Sequence, residues 1–232
     1  MTATDPGGYF TPATFRFLRR LAKNNTKEWF EAHRDVYESE VREPALRFIE
    51  AVGPGLKRLS PRLVADPARV GGSLFRMNRD ARFKTEPGLY RTSVGMAFAL
   101  GGRGDSDSTS LYLFVEPGRS WAGGGVRRPT GPTLRRLRDA IVASPAAWRR
   151  ALAAPGFAPW FPPEPAAPAR RREDDDDGHP LVADLRRRSF TWRADLSDTE
   201  VCEPGLPGRY LELCRRAAPF TRFVARALGE AW

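Results

Sequence analysis

The apolar residues of this chain change their spacing twice, and that change limits the folds open to it more than any other feature. Near the N-terminus Phe15, Leu18, Leu21 and Ala22 recur at helical spacing, with Arg16, Arg19, Arg20 and Lys23 on the opposite face. Thr11-Pro12 supplies a capping hydroxyl and a first-turn proline, and Asn24-Asn25 ends the helix. Thr26 caps a second helix, in which Trp29, His33, Tyr37 and Val41 follow every four residues and face a core. Pro44 is expected to kink or end it, and the apolar pattern through Leu46, Phe48, Ile49 and Val52 is expected to stop at Gly53-Pro54-Gly55.

From residue 73 the period becomes two. Residues 73–78, 90–100, 110–116 and 120–126 read as strands set off by Gly and Pro. Leu111, Leu113 and Val115 alternate with Tyr112, Phe114 and Glu116, so apolar side chains lie on both faces and this strand is expected to be central. Glu116-Pro117-Gly118-Arg119 signals a hairpin turn, and without helices between the strands a doubly wound parallel sheet is disfavoured. Helical spacing returns over residues 132–144 and 145–152. An irregular Pro-rich and charged surface loop is expected over 155–180, then a short helix over 181–187 and a strand over 190–194. Closing helices follow over 206–228, broken near Pro219. The expectation is one α+β domain over residues 9–229, a mainly antiparallel sheet packed by N-terminal and C-terminal helices.

Composition narrows the function classes. The chain has 232 residues and a net charge of +10, and of its 38 basic residues only Lys23, Lys27, Lys57 and Lys84 are lysines. That skew, in a chain rich in Ala, Gly and Pro, matches a GC-rich coding bias, so only local clustering of charge argues for a partner. No run approaches the ~18 apolar residues of a membrane span, so no membrane partner is expected. Residues 1–8 do not read as a signal peptide, and a cytoplasmic location is expected. Cys202 and Cys214 make neither a disulfide framework nor a zinc spacing and are expected to act as small buried hydrophobes.

The densest polar cluster is Arg76-Met77-Asn78-Arg79-Asp80-Ala81-Arg82-Phe83-Lys84, followed by Tyr90-Arg91-Thr92. Arg76, Arg79, Arg82, Lys84 and Arg91 repel one another if brought together, and an anion or acidic partners such as Asp80 and Glu86 would relieve that. They are therefore either ligand-binding forks for a phosphate or carboxylate, or structural ion pairs on a strand edge. Asp80, Tyr90 and His179 are the catalytic candidates beside them. His33 fits the Trp29–Tyr37 stripe better than a catalytic role. No metal site is expected, since convergence of both histidines with a carboxylate has no support in the spacing. The acidic run over residues 173–177 lacks an EF-hand pattern and reads as solvated. Gly123-Gly124-Gly125 matches no phosphate-binding fingerprint and is expected to serve a bulge or close backbone approach. No cofactor is indicated.

Several of these segments occur together elsewhere. Tyr9-Phe10-Thr11-Pro12, Asn24-Asn25-Thr26-Lys27-Glu28-Trp29-Phe30, Phe75 through Phe83, Tyr90-Arg91-Thr92, Gly123-Gly124-Gly125, His179-Pro180-Leu181 and Leu185-Arg186-Arg187-Arg188-Ser189-Phe190 follow the order and spacing of a bacterial family. The chain resembles that family of conserved hypothetical proteins, domain of unknown function 2461, over nearly its whole length. The resemblance implies one domain and supplies no activity. Relatives usually carry Lys-Thr-Pro-Tyr-Lys-Thr where this chain has Glu86-Pro87-Gly88-Leu89-Tyr90-Arg91-Thr92, so charge is kept at Arg91 while a lysine nucleophile would be lost. Gly178 stands where an Asp commonly precedes the His-Pro pair.

Three functions compete. One is a soluble enzyme or binding protein that holds an anionic small molecule in an arginine-lined pocket. The second binds nucleic acid through basic helical faces, Arg16, Arg19, Arg20 and Lys23 or Arg135, Arg136 and Arg138, and is less favoured because no recognised nucleic-acid motif is present. The third is a structural or partner-binding module whose arginines serve internal ion pairs.

Overall fold

The computed structural model describes residues 8–79, 88–102, 107–127, 129–162 and 180–232. Helix α1 (Pro12–Lys23) begins where Thr11 turns extended and its hydroxyl accepts from the Ala13 amide at 3.1 Å, while the Thr14 hydroxyl accepts from the Thr11 amide at 3.1 Å. It buries Phe15, Phe17, Leu18 and Leu21, so Phe17 takes the place in the core that the spacing assigned to exposed Ala22. Thr26 caps α2 (Lys27–Ala32), and the helical path bends at His33 before α3 (Arg34–Tyr37).

A wide π-turn over Glu38–Arg42 leads into α4 (Glu43–Leu59). Its position follows from Pro44, which has no N–H and whose ring crowds the carbonyl four residues back. That carbonyl belongs to Glu40, and it accepts instead from the buried Thr14 hydroxyl at 2.7 Å. Helix α4 does not stop at Gly53-Pro54-Gly55 as its composition suggested. Pro54 orphans only the carbonyl of exposed Glu50, which water can reach. Gly55 meanwhile lets the last helix of the chain approach, since a Cβ there would lie 2.3 Å from Leu211 Cδ1.

Four antiparallel strands follow in a sheet ordered as in the chain: β1 (Val94–Ala99), β2 (Ser110–Val115), β3 (Ser120–Val126) and β4 (Phe190–Leu196). Between β3 and β4 lie α5 (Gly131–Ala143), α6 (Pro145–Leu152) and α7 (Val182–Leu185); after β4 come α8 (Asp198–Cys202) and α9 (Leu206–Ala227). On one face Val94, Met96 and Phe98 align with Val115, Leu113 and Leu111, and Ala122 aligns with Ala194. Helices cover that face: Phe98 meets Tyr210 of α9 at 5.7 Å and Phe190 meets Trp148 of α6 at 6.1 Å. The other face carries Tyr112, Phe114, Trp121 and Arg193, none of which belongs to the core. The three glycines of β3 serve close approach, as expected: Gly125 has φ +117° and a Cβ there would lie 2.0 Å from the Phe190 carbonyl oxygen.

Three expectations need correction. Residues 73–78 form no continuous strand; isolated pairings Leu74–Met96 and Asn78–Tyr90 flank a bend on the other side. Four residues separate the first members of these pairs and six the second, so alternation fails and Met77 is buried beside exposed Arg76. Helix α9 runs unbroken through Pro219, because the carbonyl it orphans is that of exposed Arg215. The stretch from 155 is also not all surface, since Phe157 and Phe161 enter the core on either side of a 3₁₀ turn over Ala158–Trp160. No helix among the described residues is long and apolar enough to cross a membrane.

Candidate functional site

Three of the motif segments singled out by order and spacing, those around Asn25, Phe75–Arg79 and Tyr90–Arg91, meet at the outer edge of β1. Residues 73–79 run antiparallel to residues 88–97: the Phe75 amide donates to Gly95, Arg91 to Met77 and Arg79 to Leu89, at 2.7–2.9 Å. Tyr90 therefore turns its own N–H and C=O away from this ladder, toward the α1–α2 connection. There the side chain of Asn25 accepts from the Tyr90 amide at 2.8 Å and donates to the Tyr90 carbonyl at 2.9 Å, as a neighbouring strand would. Gly88 makes room for this clasp, with φ +99° and a Cβ position 2.6 Å from Asn25 Cγ. The Tyr90 ring lies flat on Phe30, centroids 4.1 Å apart and planes 12° apart.

The candidate residues are now placed. Arg76, Arg79 and Arg91 lie on one hydrogen-bonded ladder, and Arg79 Nε also donates to the Tyr90 carbonyl at 2.9 Å. Arg76 and Arg91 are exposed and meet no carboxylate among the described residues. Tyr90 is buried, and burial raises its phenol pKa, with Glu31 adding and Arg34 opposing. Asp80, Arg82, Lys84 and His179 lie outside the described residues. His33 is half-buried and stacked on Trp29 at 4.0 Å. Its Nδ1 sits 2.8 Å from the Trp29 carbonyl, which only accepts, and its Nε2 3.0 Å from the Arg20 guanidinium, which only donates. These partners give Nδ1 the donor role and Nε2 the acceptor role.

Two features outside the ladder went unread in the sequence. Of the run Arg186-Arg187-Arg188, Arg187 is buried: it pairs with Asp184 at 3.2 Å, donates to the Pro162 carbonyl at 2.9 Å and lies 3.7 Å from the Phe161 ring centroid. Asp184 also accepts from Trp148 Nε1 at 2.8 Å, so this motif is a buried clamp for the chain around residue 162. Asn25 passed as a helix end, although two adjacent Asn before a capping Thr is one side chain more than a helix end requires. A shallow cleft of about 460 Å³, lined by Pro12, Phe15, Arg19, Asp198 and Cys202, lies elsewhere and holds none of the candidate residues. Its charged pair is already closed, Arg19 to Asp198 at 2.8 Å.

No cluster of three or more metal-ligating side chains exists among the described residues. No curated protein and no solved structure matches the chain. One family model, of conserved hypothetical proteins, matches residues 13–223 and so takes in α1, the Asn25 clasp, the arginine ladder, the sheet and nearly all of α9. The chain belongs to the DUF2461 family.

Proposed function

We propose that this protein binds an anionic small molecule, a phosphate or carboxylate, at the β1 edge through Arg76, Arg79 and Arg91. Arg82 and Lys84, in the adjoining residues 80–87, complete the binding set in this proposal, with Asp80 and His179 as candidate aligning or proton-transfer groups. Tyr90 is assigned a packing role, because its ring is buried against Phe30. The observation that carries the reading is the fixed backbone beneath Arg76 and Arg91, which are exposed and meet no carboxylate among the described residues. Asn25, the Tyr90–Phe30 stack and the ladder hold Arg76 and Arg91 on adjoining hydrogen-bonded segments before any ligand arrives, which lowers the entropy lost on binding.

Some other surface arginines are engaged by acids, Arg34 with Glu31, Arg42 with Glu38 and Arg119 with Glu116, while Arg16, Arg135 and Arg136 are, like Arg76 and Arg91, exposed without an acid among the described residues. On the helical faces Arg19 is paired with Asp198, while Arg20 and Arg138 hydrogen-bond the neutral acceptors His33 and the Arg187 carbonyl and keep their charge. Calorimetric titration of the full chain with pyrophosphate and with citrate tests the proposal. Arg76→Ala with Arg91→Ala is expected to weaken binding of the preferred anion at least about 10-fold with the melting temperature unchanged. Equal affinity in the double variant, or no binding of either anion by the wild type, refutes it.

A further inference from the structure

Beside the arginine ladder, the open face of the sheet carries a row of aromatic rings that the core does not use. One rung of directly opposed residues crosses the sheet from Gly95 on β1 to Phe114 on β2, Trp121 on β3 and Asp195 on β4, with the Phe75 amide bonded to the Gly95 carbonyl at the outer edge. Gly95 has no side chain, and the rings of Phe75 and Phe114 close over it; a Cβ there would lie 2.6 Å from one and 2.8 Å from the other. Phe75 and Phe114 are 5.8 Å apart, and Phe114 and Trp121 stack at 4.6 Å and 15°. From the β4 side the Arg193 guanidinium lies 5.1 Å from the Trp121 ring, and Tyr112 stands 6.4 Å from Phe114. All four aromatic residues are only half-buried, although rings of this size gain most when covered.

The charges around the row select what covers it. Arg193 caps one end and is itself half-exposed. Arg76 follows Phe75 directly at the other end, Arg91 lies one ladder step away, and exposed Arg127 follows the end of β3. Among the described residues the acids near this face are Asp195, paired with Arg193 at 2.7 Å, and Glu116, paired with Arg119, so the cations left without an acid there are Arg76, Arg91 and Arg127. A partner that offers flat apolar rings at intervals along a negatively charged backbone satisfies both features. We propose that the open face binds single-stranded nucleic acid. A base stacks on the Arg193 guanidinium that covers Trp121, a second contacts the Phe75–Phe114 end, and phosphates reach Arg76 and Arg91. This deepens the anion-binding reading and rests on it for the phosphate contacts.

The test is fluorescence anisotropy of a labelled oligothymidylate of about 12 nucleotides with the full-length protein, beside a duplex of equal length and free pyrophosphate. Trp121→Ala is expected to weaken the oligonucleotide about 5- to 150-fold and leave pyrophosphate affinity unchanged. Arg193→Gln, an exposed position that leaves the core intact, is expected to weaken it in the same direction and keeps the test decisive should Trp121→Ala misfold. Arg76→Ala with Arg91→Ala is expected to weaken both ligands and to lower the salt slope by about 1 to 2. Ultraviolet crosslinking is expected to join the strand to peptides carrying Phe114 or Trp121. If pyrophosphate binds but the oligonucleotide does not, or if Arg193→Gln and Trp121→Ala leave oligonucleotide affinity intact, the stacking proposal falls while the anion site stands. Equal affinity for duplex overturns it. So does self-association through this face, seen as a dimer that Trp121→Ala dissolves without any effect of oligonucleotide.

Discussion

Asn25→Ala removes two hydrogen bonds to one buried residue, and the structure says what each is worth. The Tyr90 carbonyl keeps the Arg79 Nε donor, so its loss is partial. The Tyr90 amide keeps nothing among the described residues and is left in a residue that is 4% exposed. An unsatisfied buried donor costs about 1–3 kcal/mol, and the half-lost carbonyl bond adds about 0.5 kcal/mol, for roughly 2 kcal/mol in all. For a chain of this size that is a fall of about 4–8 °C in melting temperature. It also predicts an approximately 30-fold faster exchange of the Tyr90 amide where local opening governs exchange. Urea denaturation and hydrogen exchange by mass spectrometry over residues 88–99 measure both. Asn25→Asp adds a signature: its carboxylate still accepts from the amide but faces the Tyr90 carbonyl. The folded state therefore prefers the protonated acid, and the variant regains stability as pH falls through the carboxylate range. A loss under about 0.5 kcal/mol for Asn25→Ala, with Tyr90 exchange unaltered, refutes the clasp.

Two further outcomes follow from buried groups. Asp184→Ala strands the Arg187 guanidinium and the Trp148 indole N–H together and is expected to cost about 3–5 kcal/mol by urea denaturation, whereas Arg193→Gln, which breaks an exposed pair with Asp195, is expected to cost under about 1 kcal/mol. Alkaline stability is set by Cys214 and Tyr37, whose pKa values burial pushes up to about 12, and by Tyr210, raised in the same sense. Because the unfolded chain loses these protons near pH ~8.5 and ~10, folding stability is complete below about pH 8.5 and falls as pH rises toward 12. Denaturation midpoints between about pH 8 and 11 check this; Cys214→Ala is expected to flatten the first part of the decline, and a pH-independent midpoint contradicts it.

Much of the architecture was legible because it depends on neighbours in the chain. Thr11-Pro12 and Thr26 start helices by local hydrogen bonding, the period of two marks strands, and three consecutive glycines mark close contact. Pro54 and Pro219 were misread for the opposite reason: whether a proline breaks a helix depends on whether solvent reaches the carbonyl it orphans, and that is known only once the helix has packed. Burial of Arg187 rather than Arg186 or Arg188 likewise depends on where α7 places Asp184. At the site, charge density marked Arg76, Arg79 and Arg91, which share one ladder. The clasp beneath them was hidden, because its two halves lie 65 positions apart and neither is unusual alone. The aromatic row was visible as the second apolar face of residues 110–116, but nothing in the alternation said that helices would leave it open.

The contact between the Thr14 hydroxyl and the Glu40 carbonyl has an evolutionary corollary. Pro44 brings no N–H to that carbonyl, so the Thr14 hydroxyl meets no donor from position 44 there. A descendant that exchanged Pro44 for alanine would bring a second donor to that carbonyl, and Thr14, sealed from water, would share an acceptor it now holds alone. The two sites thus form an epistatic pair, each tolerating change mainly in the company of the other, and drift at one is expected to be followed by compensation at its mate.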